Sequence, residues 1–222
     1  NTEGDNSVLG GFGGYYIADM EHIYIPSMYV SKIFVVDTAG VVKRKIDYST
    51  TKDGQQLKPF MPSDKSQIVF IGDDLYIPQT VNLRLGDKAI ERSPIKVVLD
   101  TIENTSEALP MRFPPLINYK DFGTVGAFGA EYSFCYDGNR FIYSFDADED
   151  LYLTTSAHEK VEKKKAKSKY IDHVTVFRST EGNFQKMVRA QCEHASYGKI
   201  LYDKYRDVYY RFVYPPCDTS DY

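Results

Sequence analysis

The sequence has no tryptophan, only three cysteines, four histidines and no long apolar run. Each shortage excludes something. No stretch approaches the roughly 20 apolar residues of a membrane-spanning helix. The opening "NTEGDNSV" is polar and acidic, so it does not read as a secretory signal. An odd set of cysteines (Cys135, Cys192, Cys217) cannot form a complete disulfide framework, and their spacing fits no zinc motif. Cys135, in "YSFCYD", reads as a buried strand thiol. A Cys192–Cys217 bridge is allowed by the sequence but not called for. Positive charge is not in excess either: 27 Lys and Arg stand against 31 Asp and Glu, for a net charge of −4. A nucleic-acid partner, which wants a basic face, is therefore not expected. H-E-x-x-H, G-x-S-x-G and G-x-G-x-x-G are all missing, so no metal, cofactor or nucleophile motif is predicted.

Aromatic residues are abundant: 19 Tyr and 13 Phe, types that suit a pleated, half-buried surface. Four segments share one plan, an apolar strand, a short turn with Asp or Gly, then a second aromatic strand. They are "GYYIADMEHIYIPSM" (14–28), "QIVFIGDDLYIPQ" (67–79), "EYSFCYDGNRFIYSFDA" (131–147) and "GKILYDKYRDVYYRFVYPP" (198–216). The first continues into "KIFVVDTAGVVKRKIDY", which predicts strands at 14–18, 22–26, 32–37 and 41–47. Outer strands of the second unit are expected at 94–101 and 107–113, and of the third at 150–156 and 170–177. A second echo, "GGFGGYY" (10–16) and "GAFGAEY" (126–132), precedes an inner strand in each case.

Such four-stranded antiparallel units bury their faces by stacking, and a radial arrangement removes most open edges. The predicted fold is an all-β propeller, a single domain over 1–222. Its blades fall near 11–48, 67–114, 130–177 and 197–222. The last holds two strands, so about three and a half blades are expected, a fragment of a longer propeller.

The passages "GGFGGYYIADMEHIYI" and "DTAGVV", and above all "YGKILYDKYRDVYYRF", resemble the TolB-like six-bladed β-propeller lipoproteins of unknown function from Bacteroidetes. The resemblance covers nearly the whole chain, and Tyr202 to Arg211 is its most specific part. It implies a secreted protein, periplasmic or attached to the outer membrane by an N-terminal lipidated Cys, with no established activity. This chain carries no such Cys near its start and lacks the first blade. Membrane contact is expected only through that anchor.

Candidate residues are sparse. "DADED" (146–150) spaces three Asp like a calcium loop, but Leu151 and Ala157 stand where an EF-hand needs Gly and Glu. A spatial metal site from His158, His173 and His194 has no sequence support. The run "EKVEKKKAKSK" (159–169) reads as a solvated insertion, extended or as a short helix. Turn acids (Asp19 with Glu21, Asp73 with Asp74, Asp137) could serve an envelope hydrolase or lyase, but Asp also belongs in turns for its own backbone bonds. The expected ligand-binding residues are Tyr29, Arg84, Arg92, Arg211 and Tyr214, where Arg and Tyr approach one end of the strands. The leading functional expectation is noncatalytic binding of a protein or glycan ligand at the bacterial cell envelope. The alternatives are the hydrolase or lyase and a structural scaffold.

Overall fold

A computed structural model of the chain describes residues 14–60, 67–114, 131–172 and 192–217, together with Gly4, Ser7, Val8, Gly11, Ser63, Lys65, Val174 and Arg189. It divides into two units, Asn1–Thr80 with Pro94–Leu109, and Val81–Ser93 with Pro110–Tyr222.

The first unit holds two four-stranded antiparallel sheets. One runs β1 (Tyr16–Ile17), β2 (Ile23–Pro26), β3 (Lys32–Val36), β4 (Val42–Asp47). The other runs β5 (Val69–Ile71), β6 (Asp74–Pro78), β7 (Lys96–Asp100), β8 (Thr105–Ala108). The continuous apolar runs of β3 and β6 are buried on both faces, as a strand between two packed layers requires. Ile33, Val35, Ile46 and Tyr48 from the first sheet meet Leu75, Ile77 and Leu99 from the second in one core. Full burial of each such side chain contributes about 1.5–3 kcal/mol. The Phe70 ring lies 4.6 Å from Tyr24 and 4.9 Å from Tyr16 between centroids.

The second unit holds a four-stranded antiparallel sheet of β9 (Tyr132–Tyr136), β10 (Phe141–Phe145), β11 (Asp150–Thr154) and β12 (Val161–Lys165). A two-stranded sheet of β13 (Ser196–Asp203) and β14 (Val208–Tyr214) stands beside it. In sequence, a 3-10 turn (Leu83–Lys88) and the one-turn helix α1 (Ala89–Arg92) fall between β6 and β7. Tyr132, Phe134, Phe141, Tyr143, Phe145 and Tyr152 form an aromatic core on β9–β11, with centroids as close as 5.1 Å.

One strand lies elsewhere than predicted. The outer strand of the third sheet is β12, inside the lysine run, not 170–177. Residues 170–172 are a turn, and 173 and 175–177 lie outside the described residues. β12 is exposed at all five positions, so nothing forces the apolar alternation by which a strand is usually read. The glycine echoes at 10–16 and 126–132 fall mostly outside the described residues.

Turn aspartates fix the hairpins. An Oδ1 of Asp19, Asp100, Asp137 or Asp203 accepts the backbone N–H two residues on, at 2.8–2.9 Å. The echoed "YDGN" and "YDKYRD" passages therefore close the same way: Asp137 caps the β9–β10 turn and Asp203 the β13–β14 turn.

Candidate functional site

β14 reads "VYYRFVY", and its burial alternates residue by residue. Tyr209, Arg211 and Val213 turn toward the β9–β12 side; Val208, Tyr210, Phe212 and Tyr214 turn away.

The inward face is tied down by polar bonds. The Arg211 guanidinium donates from Nε to Ser144 Oγ at 2.8 Å, and from its terminal nitrogens to the carbonyls of Glu149 at 2.8 Å and Asp148 at 2.5 Å. It also lies 3.6 Å above the Tyr197 ring. Burial pulls its pKa down to about 10, which still leaves it charged at neutral pH. Tyr209 Oη donates to Asp137 Oδ2 at 2.6 Å; burial and that bond push the phenol up to about 12. Ile200 N–H donates to Ser133 Oγ at 3.1 Å, and Ser144 Oγ donates to the Gly198 carbonyl at 3.2 Å. Ile200 joins Ile142 and Leu153 in an apolar cluster, with Tyr209 against it.

The outward face is different. Val208, Tyr210, Phe212 and Tyr214 are 38–50% exposed, and Leu201, opposite Tyr210, adds to the same strip. The Tyr214 ring rests on Gly198, where any Cβ would collide with it. Among the described residues, β14 pairs with β13 alone, so its other edge is open. In the other three sheets the strand after the first turn, β2, β6 or β10, is paired on both sides.

The outermost strands of two other sheets look unlike this edge. β4 carries Lys43, Arg44 and Lys45, and β12 carries Lys163, Lys164 and Lys165. Lysines on an edge discourage further pairing. β14 has one cation, and it is turned inward. The open edge and apolar strip of β14 are the best candidate site among the described residues.

The five predicted binding residues do not assemble there. Tyr29 is exposed in the β2–β3 connection of the first unit. Arg84 and Arg92 are exposed on the 3-10 turn and on α1. Arg211 and Tyr214 share β14 but point to opposite faces, and Arg211 directs its donors at backbone and Ser144. Tyr214 alone lies on the exposed strip. Tyr210, Phe212 and Val208 are the residues that sequence reading missed. Their signal was present, since one parity of "VYYRFVY" is wholly apolar while Arg211 marks the other.

The remaining candidates are engaged elsewhere. Asp19 and Asp137 accept turn N–H groups, and Asp19 also contacts His22 at 2.9 Å. Asp148 accepts the Asp150 N–H at 3.0 Å and the Tyr152 hydroxyl at 2.5 Å. His158 is buried between the Ser156 carbonyl, 2.8 Å from Nδ1, and Tyr143 Oη, 2.5 Å from Nε2. A carbonyl can only accept, so Nδ1 carries the proton and the ring is neutral. His173 lies outside the described residues. Among the described residues no group of three His, Cys, Asp or Glu side chains could hold a metal ion, and no helix is long and apolar enough to cross a membrane.

No curated protein matches the sequence. The fold is similar to the crystal structure of a DUF4221 family member from Bacteroides vulgatus, with a TM-score of 0.75 at 19% identity. That match covers 100% of this chain but 61% of the solved one. The family model "Domain of unknown function (DUF4221)" matches residues 1–221. The chain therefore belongs to the DUF4221 family, whose function is unknown.

Proposed function

We propose that the chain is a noncatalytic protein-binding module of the bacterial cell envelope, that its stacked sheets are propeller blades, and that β14 is the strand on which a partner docks. The observation that carries the reading is the open edge of β14 together with its exposed strip of Val208, Tyr210, Phe212 and Tyr214. An unpaired strand edge offers alternating N–H and C=O groups to an incoming strand. The strip offers apolar area to every second side chain of that strand. The occupant is accordingly an extended protein segment with apolar residues at alternate positions, antiparallel to β14. A glycan would leave the edge amides unpaired and suits the strip less well. The sheet spacing, the shared Asp turns and the resemblance to TolB-like propellers support the blade reading. The resemblance and the Bacteroides relative support the envelope location, through a lipid anchor outside this chain.

A second reading is favoured by one number. The solved relative is longer than this chain, which spans 61% of it. The docking strand could then belong to the same protein, and β14 would be an internal scaffold contact between blades.

One experiment separates the two. Phe212 is replaced by the photo-crosslinker p-benzoylphenylalanine in the native protein, expressed in a Bacteroides host, with Lys164 on β12 as control. An adduct from position 212 to a separate envelope protein, absent from position 164, is the expected result. An adduct within one chain supports the scaffold instead. No adduct above the control removes β14 as a docking strand.

A further inference from the structure

We propose that Cys192 and Cys217 are a disulfide-forming pair, a covalent modification site that fastens the two ends of the β13–β14 hairpin. The inference stands apart from the binding proposal. Cys217 follows β14 after two prolines, and Cys192 precedes β13. The Cys217 N–H donates to the Cys192 carbonyl at 2.8 Å. A backbone hydrogen bond of that length keeps the two α-carbons roughly 5–6 Å apart, within the span a disulfide bridges. Both cysteines are exposed, so an oxidant in solution reaches them. Cys135 is half-buried on β9, and burial together with the Asp137 charge pushes its thiol up to about 12. It is therefore a poor competitor.

The oxidant is a small disulfide such as oxidised glutathione. One cysteine thiolate attacks a glutathione sulfur, breaking that S–S bond and releasing one glutathione thiolate. The second cysteine thiolate then attacks the resulting mixed disulfide at the protein sulfur. A protein disulfide forms, and the second glutathione leaves. Two protein thiols are oxidised, one small disulfide is reduced, and the two thiol protons end on the released glutathiones.

The test treats the folded 222-residue chain with oxidised glutathione. Free thiols are then alkylated, and the protein is mapped by peptide mass spectrometry without reduction. The expected product is about 2 Da lighter than the reduced chain before alkylation. Its peptides containing Cys192 and Cys217 are joined, and Cys135 is alkylated. Closing a loop of about 25 residues is expected to raise the melting temperature by about 5–10 °C relative to the reduced protein. In Cys217→Ser, glutathione remains attached at Cys192, and in Cys192→Ser it remains at Cys217. Stable glutathione adducts on both cysteines of the unsubstituted chain, three alkylated thiols, or a bridge through Cys135 would each overturn the proposal.

Discussion

Arg211 holds the last hairpin by aiming its guanidinium nitrogens at Ser144 and at the carbonyls of the β10–β11 turn, with the Tyr197 ring beneath. These acceptors lie some sixty positions back in sequence, so no local pattern announces them. From the residues alone, Arg211 looks like a ligand anchor; in the fold it is a clamp. Arg211→Ala strands several buried acceptors and is expected to cost about 3 kcal/mol, read by urea unfolding. Arg211→Lys keeps the charge but not the planar fork, so it should recover less than half of that loss. Asp137 gives a pH-dependent counterpart. Burial raises its pKa, but the bonds from Tyr209, Arg140 and Asn139 outweigh it and hold the carboxyl below the ordinary 3.8. Its stabilisation is therefore complete above about pH 4 and fades as pH falls through the lowered value. Asp137→Asn should be less stable than the parent at pH 7, and the gap should narrow below about pH 4, as measured by denaturation at stepped pH.

At the scale of elements, strands are legible where physics constrains them twice. β3, β6 and β10 are buried on both faces and read as apolar runs, and each hairpin carries an Asp whose side chain closes the turn. The strands predicted at 22–26, 32–37 and 41–47 sit where β2, β3 and β4 form. β12 escaped because an edge strand exposed at every position has no face to mark by alternation. Its lysines look like a solvated insertion, yet they guard an edge. Lys163→Val together with Lys165→Val should leave the circular dichroism spectrum unchanged but drive concentration-dependent association, seen by light scattering. Unchanged solubility would mean that the edge is protected by something other than charge. The apolar parity of β14 could have been read from "VYYRFVY". That it lacks a cover could not, because exposure depends on which strands lie beside it.

For the molecule, three four-stranded sheets and one hairpin share a single plan, and only the hairpin presents an apolar strand with an open edge. That asymmetry is the basis for placing function at β14 rather than among the turn acids or histidines, which are already engaged with backbone and neighbouring side chains. The most direct measurement is amide hydrogen exchange along Val208–Tyr214, compared between the isolated 222-residue chain and the protein purified from its native cell envelope. Docking of a strand predicts that every second amide of β14 exchanges fast in the isolated chain and slowly in the native protein, while β10 is protected in both. Fast exchange at those alternate amides in both preparations would contradict it, since nothing would then be paired with the edge of β14.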